Sequence, residues 1–159
     1  MGITKAEALK AVDRERGPVC EASDRIWDQP ETAFQEFHST DVLCELLEKE
    51  GFRVERNLAG IATAFSGTYG SGKPVVGILG EFDALSGLSQ ESESLEKTAL
   101  VDGAPGHGCG HNVIATCASG AFASLAKIFV EMGIAGEVRI IGTPAEEGGA
   151  GKAVMLERG

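Results

Sequence analysis

Two short stretches carry residue types that could do chemistry at a useful spacing. In Gly106-His107-Gly108-Cys109-Gly110-His111-Asn112, one thiol and two imidazoles alternate with glycines. In an extended segment, residues two apart project to the same side, so His107, Cys109 and His111 could face one point. The glycines remove side-chain bulk and permit tight backbone paths where an ion sits close to the chain. A thiolate with an imidazole is a donor set suited to zinc and related divalent ions. Downstream, Pro144-Ala145-Glu146-Glu147-Gly148-Gly149 supplies two adjacent carboxylates. One can bind metal while the other takes a proton from an attacking water. Each motif also has a plainer reading. Cys109 could be a small core residue, His107 a satisfied loop histidine, and Glu146–Glu147 a solvated pair favoured by a helix dipole. The two motifs together favour metal, since each lies where a strand-rich segment gives way to a glycine-rich turn. The chain has three histidines, and two of them fall in this one heptapeptide.

The elements that must position these residues can be read along the chain. Thr4-Lys5-Ala6-Glu7 is a capping box. Ala8, Leu9, Val12, Val19, Ala22 and Ile26 then recur broadly at helical spacing, with Pro18 expected to kink or interrupt the helix. A second helix is expected over 33–50, with Val42, Leu43, Leu46 and Leu47 inward and Gly51 at its end. Cys20, Cys44 and Cys117 are expected to be packing residues. Strands are expected over 52–56, 61–65 and 75–79. The last two would be joined by a hairpin turn through Tyr69-Gly70-Ser71-Gly72, and Val75 to Leu79, apolar on both faces, reads as a central strand. That strand ends at Gly80-Glu81-Phe82-Asp83 and places two carboxylates at its C-terminal end, where open α/β sheets bind ligands. Residues 86–104 read as a long loop, 111–132 as a buried small-residue helix, 137–142 as a strand, 144–151 as the glutamate turn and 152–158 as a helix. Gly67 to Lys73 has phosphate-loop spacing. Pro74 follows where Ser or Thr is needed, and a strand follows where a helix N-terminus is needed, so a nucleotide-binding module is the weaker reading.

Composition bounds the rest. The 159 residues fit one domain that buries about two-thirds of its unfolded surface. A formal net charge of −10 disfavours a nucleic-acid partner. The start, Met1-Gly2-Ile3-Thr4-Lys5, shows no secretory signal and no myristoylation pattern. The uncharged stretch 112–126 is too short and too rich in small residues to span a bilayer, so no membrane role is expected. Four cysteines without CxxC or framework spacing are expected to be reduced thiols in a cytoplasmic setting.

Four pieces in order, Gln29-Pro30-Glu31-Thr32-Ala33-Phe34-Gln35-Glu36, Gly80-Glu81-Phe82-Asp83-Ala84-Leu85, Gly106 to Asn112 and Pro144 to Gly149, give the chain a specific resemblance. It resembles the amidohydrolase branch of the metal-dependent aminoacylase and carboxypeptidase superfamily, and within it most nearly the p-aminobenzoyl-glutamate hydrolase subgroup. The resemblance implies an incomplete zinc-exopeptidase-like catalytic domain of α/β class, with a mixed, mainly parallel sheet flanked by helices. It implies Cys109, His111 and Glu147 as metal ligands and Glu146 as the general base. It also implies Asp83 as an acidic residue behind the ligands and His107 as a residue near the site, where a purely structural role fits as well. The family uses two divalent ions, zinc or manganese, and cleaves the amide between an acyl or aroyl group and an amino acid. Family members are much longer. They complete the metal pair with two further histidines and carry a lid and dimerisation domain, so full-length relatives are expected to be homo-oligomers. Residues 1–159 would then be the N-terminal portion of the catalytic domain, inactive alone. The rival reading is a non-catalytic remnant or interaction fragment that keeps the fold.

Overall fold

The computed structural model describes residues 3–159, so the readings that fall on Met1 and Gly2 lie outside it. Helix α1 spans Lys5–Asp28. Its capping box is formed: Thr4 Oγ1 accepts from the Glu7 amide at 3.3 Å, and Glu7 Oε2 accepts from the Thr4 amide at 2.8 Å. The helix runs through Pro18 without interruption. Gly17, lacking Cβ, softens the clash that proline imposes on its predecessor. Packing compensates the missing hydrogen bond, because Val19 presses onto Gly120 of the helix opposite, where a Cβ would collide with it. The buried stripe is Ala11, Glu15, Ala22 and Ile26; Leu9 and Val12, expected inside, are exposed. Glu15 takes an inward position because Lys127 meets it at 2.5 Å.

Helix α2 (Phe37–Lys49) starts later than expected, since Phe34 adopts a left-handed φ of 61° that no helix can include. Glu31 caps it from outside, accepting from the amides of His38 and Ser39 at 2.9 Å. Its end is a Schellman motif: Gly51 (φ 83°) donates to Glu48 O and Phe52 to Leu47 O.

Strand β1 is Arg53–Arg56. The strand expected over 61–65 is instead a turn region entered through a 3₁₀ turn at Leu58–Gly60, and β2 runs Phe65–Ser71. Asn57 and Ala59, both at positive φ, break the extended path there. The phosphate-loop look-alike therefore lies mostly within a strand. β3 (Val75–Gly80), α3 (His111–Met132) and β4 (Gly136–Gly142) form a βαβ crossover with β3 and β4 parallel. β4 slots between β2 and β3, giving the order β1-β2-β4-β3. Two expectations are corrected by this. β2 and β3 are not a hairpin, and β3 is an edge strand whose Val75, Val76 and Leu79 are 50, 42 and 51% exposed. The sheet is mixed, with β1–β2 and β2–β4 antiparallel. A short helix α4 (Glu146–Gly149) and α5 (Gly151–Arg158) follow β4.

Ile26, Leu43, Leu47, Phe52, Phe65, Phe82, Val138 and Ile140 form the core between sheet and helices. Helix α3 is long and apolar enough by length and composition to cross a membrane, more than the 112–126 stretch alone suggests, yet 56% of its most apolar window is buried inside the protein. Cys44 is buried, and burial pushes its thiol up to about 12. Cys20 and Cys117 are exposed rather than core, on the groove between α1 and α3.

Candidate metal centre

The carboxyl ends of β3 and β4 bring the site together. Where β3 stops at Gly80, Phe82 turns into the core against Phe65, with ring centroids 5.7 Å apart. Glu81 and Asp83, on either side of it, are thereby turned the other way. Asp83 is buried and accepts from three directions. His111 Nδ1 lies 3.0 Å from both its Oδ1 and its backbone oxygen, and the Glu147 amide donates to its Oδ2 at 2.9 Å. With Nδ1 donating to Asp83, Nε2 is left as a bare lone pair. That nitrogen belongs to a side chain only 2% exposed, and it faces Glu81 Oε2 at 3.5 Å and Glu146 Oε2 and Glu147 Oε1 at 3.8 Å each.

The long excursion from 86 to 105 does not loosen this arrangement. Leu85 and Gly106 form a two-way backbone bridge at its neck, with N···O distances of 3.1 and 2.9 Å. Gly106 and Gly108 lie so close to Leu88 that a Cβ on either would collide with it. Gly110, at φ 78°, then turns the chain into α3, so that His111 is the first helical residue and Cys109 stands exposed just before it. On the opposite side Ala145 is buried with a left-handed φ of 59°. Its amide donates to Glu36 Oε1 at 2.8 Å, and Phe34 donates to the same oxygen at 3.0 Å. The buried Glu36 thus braces the turn that presents Glu146 and Glu147, which are 39 and 20% exposed.

The donor atoms of Cys109, His111 and Glu147 all lie within 4.8 Å of one another, as do those of Glu81, His111 and Glu146. Glu147 Oε1 is shut off from solvent without a hydrogen-bond partner. An orphaned carboxylate oxygen beside a thiol and an imidazole lone pair fits a divalent cation, which would satisfy all three at once. The neighbouring charges act on Cys109 as well. Its contact with the Glu147 carboxylate, then burial, then the charges of Glu147, Glu146 and Glu81 hold the thiol above its ordinary range.

His107 lies apart from this cluster. Its ring packs toward Trp27, with centroids 6.5 Å apart, and burial pushes its pKa down. The Ile26 carbonyl is nearby but makes no hydrogen bond of proper geometry, and both ring nitrogens are unpartnered. A mainly apolar cavity of about 250 Å³ lies against Trp27, Leu88 and His107. Glu81 joins the cluster although only Asp83 of that pair was carried to the site by resemblance. The signal was the spacing itself, two carboxylates flanking one buried aromatic at a strand end. Glu31 and Glu36 lie in the Gln29–Glu36 piece that carries the resemblance, but their bracing of backbone amides could not be read from it.

No family model matches the chain. Its sequence is 44% identical, over 94% of its length, to a p-aminobenzoyl-glutamate hydrolase polypeptide of Escherichia coli, and 30% identical to human Xaa-Arg dipeptidase over 99%. It spans 31% and 36% of those two proteins, about a third of each. The crystal structure of a dinuclear metal-binding peptidase of the M20 family from Bacillus subtilis superposes with a TM-score of 0.71 at 28% identity, covering 90% of this chain and 40% of that one. The chain is a homologue of these hydrolases and peptidases, matching a part of their length.

Proposed function

We propose that the chain is part of the catalytic unit of a metal-dependent amidohydrolase that splits the amide between an acyl or aroyl group and an amino acid. One observation carries this reading: the His111 Nε2 lone pair converges with the Cys109 thiol and the orphaned Glu147 oxygen, while Glu146 stands 3.8 Å away and partly open to solvent. Cys109, His111 and Glu147 would hold a divalent ion, zinc or manganese. When bound, the ion supplies Lewis acidity toward a scissile carbonyl and lowers the pKa of water. Glu146 is placed to take the proton from the attacking water and to return it to the leaving amine. Asp83 holds His111 in the binding tautomer and fixes the Glu147 backbone, so ligand and base stay in register. Support for the substrate class comes from the E. coli and human relatives, whose names specify an aminobenzoyl-glutamate and a dipeptide.

The test is metal retention. Protein purified without chelator and dialysed against zinc or manganese should carry the ion, and Cys109→Ser should weaken binding about 10- to 100-fold, by replacing a thiolate with a neutral hydroxyl. Equal retention by both proteins at matched pH would overturn the assignment.

A further inference from the structure

We infer that Glu36 is a positioning residue of the metal centre. One of its carboxylate oxygens holds two strained residues, Phe34 and Ala145, in the left-handed conformation that sets where Glu146 and Glu147 stand. The inference rests on the metal-centre reading above and deepens it. Phe34 and Ala145 have φ of 61° and 59°, a region that residues carrying a Cβ rarely enter. Entering it costs such a residue a factor of about 5 to 30 in population. Glu36 Oε1 accepts from both of their amides, at 3.0 and 2.8 Å. Two strained residues from distant parts of the chain thus share one acceptor.

The arrangement lowers stability rather than raising it. Glu36 is fully buried, and its Oε2 makes no hydrogen bond. A buried polar atom left unpaired is destabilising, and backbone strain of this kind persists where it serves a site.

The geometry of the turn shows what is served. Ala145 donates to Glu36, and two residues on, Glu147 donates to Asp83 Oδ2 at 2.9 Å. Glu146 therefore lies between two pinned amides, one held from the entry to α2 and the other from the end of β3. The Phe34 ring makes a second contact with the turn. A Cβ on Gly149 would come within 2.5 Å of that ring and within 2.7 Å of the Ala145 Cβ. Without the Glu36 oxygen, Ala145 is free to leave the left-handed region. That rotation would carry Glu146 and Glu147 away from His111 Nε2, which both now face at 3.8 Å.

Zinc alone is the probe, titrated calorimetrically into the 159-residue chain, with a thermal melt of every variant to confirm that it is folded. Glu36→Gln keeps an acceptor of the same reach and should bind within a few-fold of wild type. Glu36→Ala removes the acceptor, and Glu36→Asp keeps the charge but shortens the reach by one methylene. Each should lower affinity about tenfold. Glycine enters the left-handed region freely. Ala145→Gly should therefore change little where Glu36 is intact, yet restore about fivefold or more to Glu36→Ala and Glu36→Asp. That non-additivity separates positioning from a general loss of stability, which Ala145→Gly would shift alike in both backgrounds. Unchanged affinity in folded Glu36→Ala and Glu36→Asp would overturn the inference. Loss in Glu36→Gln with retention in Glu36→Asp would also overturn it, by making charge the operative property. An equal effect of Ala145→Gly with and without Glu36 would do the same. No zinc binding by the wild type would remove the metal-centre reading and this inference together. Binding lost in Cys109→Ser and kept by every Glu36 variant would remove this inference alone.

Discussion

At the scale of the residue, the site separates adjacent glutamates by what holds them. The Glu147 backbone is pinned to Asp83, and its side chain carries the orphaned oxygen; Glu146 is the more exposed of the two. Glu147→Gln should therefore cost about 10- to 100-fold in ion affinity, while Glu146→Gln should bind within a few-fold of wild type. Calorimetric titration with zinc decides between them, and a reversed order would exchange the two roles. Proton linkage gives the same site a second signature. Because neighbouring carboxylates keep the Cys109 thiol above its ordinary range, the thiol is protonated in the ion-free protein at neutral pH and gives up that proton on binding. Apparent affinity should thus rise with pH between about 6 and 8, and Cys109→Ser should lose that part of the slope.

At the scale of the element, Glu36 ties the entry to α2 to the turn after β4, 109 residues apart. Burial, the largest influence on this carboxyl, raises its pKa. A raised folded-state pKa means that the favourable contribution is complete below the unfolded value and is lost as pH rises through the folded one. Glu36→Gln keeps the acceptor for both amides and cannot ionise, so it should gain stability relative to wild type between about pH 4 and pH 7. Glu36→Leu strands two buried N–H groups and should cost about 2–4 kcal/mol. Urea denaturation at the two pH values checks both. Such long-range braces explain what could and could not be read from sequence. The capping box at Thr4 and helix α3 with its glycine-punctuated start were legible, because caps and periodicity are local. The alternation expected to aim His107, Cys109 and His111 at one point holds only for Cys109 and His111, because the segment turns into α3 at Gly110 and His107 packs toward Trp27. The edge position of β3 was not legible, since an apolar strand looks the same at an edge and in a centre until its neighbours are known. The place of Glu81 was half legible: the spacing put two carboxylates at the strand end, and Phe82 turning into the core decides which way they face.

At the scale of the whole molecule, the sheet is finished on one side only. Helices α2 and α3 cover one face, with α1 packed against them, while the other face, carrying Arg53, Thr68, Arg139 and Ile141, opens on a cavity of about 620 Å³ bordered by α5. The β3 edge nearest the site is apolar and unpaired among the described residues. The donors described gather around a single histidine nitrogen, which leaves a second ion without a nitrogen ligand among them. A two-metal site holds its ions about 3.5–4 Å apart, and misplacing reacting groups by about 1 Å can cost about a hundredfold. The 159 residues alone should accordingly show no measurable hydrolysis of p-aminobenzoyl-glutamate or other N-acyl amino acids with added zinc or manganese. Metal-dependent turnover abolished by Glu146→Gln would show that the chain completes its own site.

The bridge between Leu85 and Gly106 gives the protein a natural splice port. Behind it, Ser89–Ala104 and Glu91–Thr98 backbone pairs tighten the excursion further, so the tip near residues 92–97 is three rungs removed from the chemistry. Closing a flexible loop twice as long costs only about 0.6 kcal/mol more. A tag, a fluorophore-bearing peptide or a whole guest domain can therefore be grafted at that tip, and the graft would report on the molecule without touching the donor cluster.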